Sequence, residues 1–160
     1  MILILMFSRL IPHPPNFTPI ISLALMSGYV FRNISVSLTV LFITMLISDF
    51  FIGFYLNMIF VYIAISIICF FSFKKIKKIN YKNLYIYSVI GSLSFFIITN
   101  FGVWLLGDMY VKNLNDLFNC YFLALPFFNN TLISTLFFSY LSLYFLRLSS
   151  SKQNNLKFKI

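Results

Sequence analysis

Between Ile34 and Phe73 lie about forty residues that carry a single charged side chain, Asp49. At ~1.5 Å rise per residue one helix of that length would run ~60 Å, twice the ~30 Å hydrocarbon core of a bilayer. The stretch therefore reads as two membrane spans joined by a tight turn, marked by Ser48, Asp49, Gly53 and Asn57. The whole chain agrees, with 61% hydrophobic and 9% charged residues among 160 and a mean hydropathy of +0.94. Soluble domains are typically about 45–50% apolar and about 25% charged. A soluble globular enzyme, a disordered tail and a disulfide-stapled secreted domain are all excluded by this balance.

Polar and Pro/Gly punctuation divides the rest. Met1–Ile11 is a short apolar segment. No basic residue precedes it and no small-x-small site follows, so it reads as a first membrane segment rather than a signal peptide. The loop Pro12–Asn16 follows, then a second span over 17–31 that ends at Arg32 and Asn33. The cluster Lys74–Lys82 is a loop, 84–106 a fifth span, and Gly107–Asp116 a polar loop. A sixth, overlong span covers 120–146 and is interrupted by Pro126 and by Asn129 and Asn130. The expectation is an all-α integral membrane protein. Its single six-helix domain occupies residues 1–148, the first helix being short, and a polar cytoplasmic tail occupies 149–160; if the short first segment does not cross, five spans remain and the N-terminus is outside.

Charge orients the bundle. With the N-terminus inside and six crossings, Arg32, the five lysines of 74–82, Arg147, Lys152, Lys157 and Lys159 fall on one side. Only Arg9 and Lys112 fall on the other. This matches the excess of basic residues on cytoplasmic loops, so a cytoplasmic (inner) membrane is expected, with the Lys74–Lys82 loop and the C-terminus inside. The net charge of +9 needs no nucleic-acid partner, since no soluble basic module is present. The bilayer itself is the expected partner. Cys69 and Cys120 lie far apart in apolar runs and read as packing residues. The 22 Phe and 10 Tyr residues follow from A/T-rich codons and do not themselves argue for an aromatic ligand cage. Ser88 and Ser92, with Gly91 between them, offer a small-residue face for close helix packing.

On this topology the polar residues in awkward places share one depth, at the outer side. They are His13, Asn16, Asp49, Asn100, Trp104, Asn129 and Asn130. Polar groups at membrane depth are costly unless they face the bundle interior or a wet cavity, so one outward-opening polar pocket is expected. Each residue also has a plainer reading. His13, between two prolines and with no second histidine, suits an interfacial loop better than a metal site. Asp49 suits a helix end with its charge reaching water better than a proton or cation site. Trp104 fits the interfacial aromatic belt. Pro126 removes a backbone donor and frees the Phe122 carbonyl. With Asn129 and Asn130 it builds either a broken-helix solute site or an ordinary kink whose asparagines bond neighbouring helices.

No catalytic motif is present, and the chain has no glutamate. It is therefore expected not to be an enzyme, to hold no cofactor and no metal, and to lack any means of hydrolysing ATP. The same residues favour a neutral or partly aromatic organic solute over a divalent metal.

Three strings carry a resemblance. SRLIPHPPNFTPI (Ser8–Ile20), ITNFGVW (Ile98–Trp104) and CYFLALPFFNNTL (Cys120–Leu132) resemble, in order, the signatures of an uncharacterised family of bacterial membrane transport proteins. ISDFFIGF (Ile47–Phe54) fits between them. That family is similar to the substrate-binding S components of energy-coupling factor (ECF) transporters. The resemblance implies a six-helix bundle with a vitamin-like solute bound near the outer face. It also implies gating by the loop after the first helix, and docking to a transmembrane coupling subunit driven by cytoplasmic ATPases. Carried over residue by residue, His13, Asn16, Asn100, Trp104, Asn129 and Asn130 are pocket or gate candidates. Ser134 and Thr135 depart from the Gly-Asp pair common in that family. A non-transporting structural or assembly protein is the alternative function.

Overall fold

A computed structural model describes the backbone of residues 12–76 and 79–157, and side chains as far as residue 149. Among the described residues there are five α-helices and no strand. They are α1 (Ile20–Phe31), α2 (Ile34–Ile52), α3 (Met58–Lys75), α4 (Tyr81–Leu106) and α5 (Leu114–Lys157). The expected first segment, Met1–Ile11, lies outside the described residues. Helices α2, α3, α4 and α5 are long and apolar enough to cross a membrane.

Hydrocarbon offers no partner to a backbone N–H or C=O, which is why such a chain folds into helices. The chain reverses at short caps. Asn33 ends the α1–α2 turn, its side chain accepting from the N–H groups of Ser35 and Val36. Asn80 does the same for α4 through the Asn83 N–H. Gly53 closes α2 at φ 104°, a left-handed backbone that side-chain-bearing residues resist.

The two spans expected within 34–73 are α2 and α3, but their turn is 53–57. Ser48 and Asp49 belong to α2. Asp49 is not at a helix end reaching water. It sits one turn before the end, fully buried, and its Oδ2 accepts a 2.9 Å hydrogen bond from the Tyr62 hydroxyl of α3. Helical period explains this. Leu41, Thr44, Met45, Ser48 and Asp49 recur at i, i+3, i+4 and all are buried on one face. The expected interruption of the last span is also absent. Helix α5 runs through Pro126 and on through residues 149–157. A proline costs one backbone hydrogen bond, and the flanking turns keep theirs.

The helices alternate in direction. Arg32, Lys74, Lys75, Lys82 and Arg147 therefore gather at one end, where the Arg147 guanidinium lies 4.4 Å from the centre of the Tyr81 ring. The loops 12–19, 53–57 and 107–113 gather at the other.

Helix α1 is the hub. Every residue from Ile20 to Gly28 is buried, and it packs on all four other helices. Close approach is bought with small side chains. A Cβ on Gly28 would stand 2.5 Å from the Cys69 carbonyl oxygen of α3. Ser88, Gly91 and Ser92 are all buried on α4, with Gly91 against Ile21 and Leu25. Hydroxyls then tie the hub sideways. Ser72 donates to the Leu25 carbonyl, and Ser37 donates to that of Ser27 at 3.0 Å. By contrast only 22–39% of the apolar stretches of α2–α5 is buried, so most of their large side chains face outward. Phe50, Phe118 and Phe122 are each more than 70% exposed.

Gly28→Ala must therefore displace backbone and is expected to lower stability by about 1–3 kcal/mol, an overpacking penalty. Gly91→Ala, which meets only side-chain carbon atoms at 3.2 Å or more, should cost clearly less. Thermal unfolding in detergent micelles compares the two.

Candidate functional site

Helix α1 is 12 residues long, about 18 Å at helical rise and well short of the ~30 Å core. Above its N-terminus no helix among the described residues fills the centre of the bundle. The loop end instead holds a cavity of about 480 Å³, within the 300–1,000 Å³ range of small-molecule sites. Ile20 and Ile21 form its floor and Ile52, Val61, Phe95 and Val103 its apolar walls. His13, Asn16, Thr18, Tyr55, Asn57, Thr99, Asn100 and Thr131 supply its polar lining. All five helices contribute.

The segment over the cavity is a compact turn. Asn16 adopts a left-handed backbone, φ 61°, which asparagine tolerates better than most residues. The Phe17 N–H donates to the Pro14 carbonyl and the Thr18 N–H to that of Asn16, both at 3.0 Å. Asn130 of α5 ties this turn down, its Nδ2 donating to the Pro15 carbonyl at 3.0 Å.

The polar liners share a pattern. His13 Nδ1 lies 3.0 Å from the Pro14 carbonyl, which can only accept. The proton is therefore on Nδ1, and in the neutral ring Nε2 is an acceptor. Asn100 Nδ2 donates to the Phe96 carbonyl at 2.8 Å and Asn57 Nδ2 to the Thr99 carbonyl at 3.3 Å. The Thr99 hydroxyl donates to the Phe95 carbonyl at 2.8 Å and the Thr131 hydroxyl to that of Phe127 at 2.9 Å. Five lining side chains thus direct one donor each into protein backbone, and Asn57 Oδ1 is buried against Gly102 with no partner among the described residues. No carboxylate, lysine or arginine lines the cavity. Among the described residues no three His, Cys, Asp or Glu side chains cluster as a metal site.

Of the residues singled out in the sequence, His13, Asn16 and Asn100 come together in this lining. Asn130 holds the turn above it from outside the lining. Asn129, one residue earlier and about 100° round the helix, is exposed on the side of α5 turned away from Thr131. Asp49 is engaged between α2 and α3. Trp104 serves the neighbouring loop, its Nε1 donating to the Val111 carbonyl at 3.2 Å. In that loop the Lys112 ammonium caps the end of α4, donating to the Trp104 carbonyl and, at 2.6 Å, to that of Gly107. Asp116 accepts from the Val111 N–H at 3.0 Å. Partial burial, followed by the Cys120 thiol, pushes the Tyr110 phenol of this loop above its ordinary pKa. Thr18, Tyr55, Asn57, Thr99 and Thr131 are lining residues that the sequence reading passed over.

The fold and the cavity together define a class: a small all-helical protein with membrane-length helices and a polar chamber at one end. The chain belongs to the Family of unknown function (DUF6580), whose model matches residues 1–156. No curated protein and no solved structure matches it.

The Asn130–Pro15 bond is the side-chain tie from α5 to the turn. Asn130→Ala is expected to speed amide exchange at Phe17 and Thr18 about fivefold, the loss of roughly 1 kcal/mol of hydrogen bonding. Asn129→Ala should leave both amides unchanged. Hydrogen–deuterium exchange mass spectrometry reads the difference.

Proposed function

We propose that this protein is the solute-capturing component of a membrane uptake system, and that the cavity above α1 is its binding site. The observation that carries the reading is the lining itself. Amide, imidazole and hydroxyl groups from separate elements converge on one chamber that carries no carboxylate, lysine or arginine. Such a chamber selects a small neutral solute that hydrogen-bonds to amides and hydroxyls and has an apolar body to lie against Phe95, Val61 and Val103. Lacking cationic groups, it disfavours carboxylates and phosphates. Lacking a ligand cluster, it does not suit a transition metal.

The remaining parts follow from chemistry. The basic end of the bundle is cytoplasmic by the positive-inside tendency, so the chamber opens to the outside of the bacterial cytoplasmic membrane. The 12–18 turn lies over the chamber and is the gate. The protein catalyses no reaction and carries no means of hydrolysing ATP, so inward release depends on a partner, as the resemblance to ECF S components implies: a transmembrane coupling subunit with cytoplasmic ATPases. In this reading Asn100 and Thr99 contact the solute, while Asn129 does not.

Native mass spectrometry of gently purified protein tests this. A stoichiometric non-lipid, uncharged molecule with hydrogen-bonding groups should be released on denaturation. Asn100→Ala, which leaves the solute one acceptor short, should lower its occupancy about tenfold or more. Asn129→Ala should retain it. A protein that carries no solute and co-purifies instead with a stoichiometric membrane partner would favour an assembly role and overturn the reading.

A further inference from the structure

A second cavity lies at the opposite, basic end. It measures about 420 Å³ and is lined by Tyr29 and Val30 of α1, Arg32 just after it, Ile79 before α4, and Leu143, Leu146 and Arg147 of α5. Two arginines from helices far apart in sequence therefore share one concave site that contains no acid. The acids lie elsewhere: Asp49 is engaged between α2 and α3, and Asp108 and Asp116 belong to the loop end.

Both arginines are placed in ways that charge at a surface does not require. Arg32 ends α1 in the left-handed region, φ 48°, where glycine is the unstrained choice. The Arg147 guanidinium carbon lies 4.4 Å from the centre of the Tyr81 ring, a cation–π contact that holds the side chain at this end. The Tyr81 carbonyl is itself fixed by the Tyr140 hydroxyl at 3.3 Å. Helices α2 and α4 also begin at this end, and a helix N-terminus carries partial positive charge. The rest of the lining, Val30, Ile79, Leu143 and Leu146, is aliphatic.

We infer that this cavity is a binding site for the headgroup of an anionic phospholipid, with Arg32 and Arg147 donating to the phosphate oxygens. The ligand class follows from the two halves of the site. Paired guanidiniums match the geometry of a phosphate oxyanion. The aliphatic wall, at the boundary where the exposed Val30 and Leu148 face outward, suits the glycerol and upper acyl carbons. A free inorganic phosphate would use the first half and leave the second wet. The site is separate from the chamber above α1 and does not depend on its function.

The test uses the full chain in mild detergent, with phosphatidylglycerol and phosphatidylcholine of the same acyl chains supplied in equal amounts and retention read by native mass spectrometry. One phosphatidylglycerol should be retained in preference to phosphatidylcholine. Arg32→Gln and Arg147→Gln should each lower that retention about fivefold, the effect of one basic residue at an anionic surface. Lys82→Gln, at the same end but outside the lining, should change it less than about twofold. Arg147→Lys, which keeps the charge and loses the fork, should fall between. Unchanged thermal midpoints separate these losses from misfolding. Equal retention of the two lipids, or a Lys82→Gln loss as large as that of Arg147→Gln, would overturn a defined site in favour of diffuse charge. Millimolar inorganic phosphate binding to delipidated protein with the same arginine dependence would overturn the lipid assignment.

Discussion

Helix α1 is too short to cross a bilayer alone, and the rest of the described molecule is arranged around that fact. The unpaired backbone groups at its ends must be kept from hydrocarbon, and four longer helices enclose it. What its 12 residues do not fill becomes a chamber, floored by the first turn of α1 and covered by the turn that leads into it. The candidate site is thus a consequence of unequal helix lengths.

Enclosing a helix on all sides requires close approach. In a bilayer the attraction between helices comes from packing and hydrogen bonding rather than from burial of apolar area. Gly28 lets α3 reach the α1 backbone, and Ser37 and Ser72 bond its carbonyls from two directions. The hydroxyls of Ser22, Ser88 and Ser92 have no partner among the described residues, so at these contacts their small size is what matters. Around the chamber the same habit has a chemical result. Thr99, Asn100 and Thr131 satisfy a donor on the carbonyl one turn back in their own helix, which lets polar side chains stand at this depth.

Much of the fold was legible because charge and apolar length are coarse signals. Basic residues in the sequence cluster where the helices turn at one end, and Ile34–Phe73 is indeed two helices. The finer features needed the phase of each helix. Asp49 was read as a turn marker because Gly53 and Asn57 follow closely, yet Gly53 alone ends α2 and the carboxylate turns inward to Tyr62. Asn129 and Asn130 are neighbours in sequence and about 100° apart on α5, so one holds the turn and the other faces away. Thr99 and Thr131 were passed over because threonine is unremarkable in a membrane helix. Asn57 was seen only as punctuation. Shared depth located His13, Asn16 and Asn100 together, but depth carries no information about which way a side chain points.

The proposed site requires the chamber above α1 to open at the end opposite the basic residues. Thiol accessibility tests it most directly. In protein with Cys69 and Cys120 replaced by serine, Thr99→Cys should react with a membrane-impermeant maleimide in right-side-out vesicles. In inverted vesicles it should be protected. Reaction only in inverted vesicles, or in neither orientation, would contradict the account.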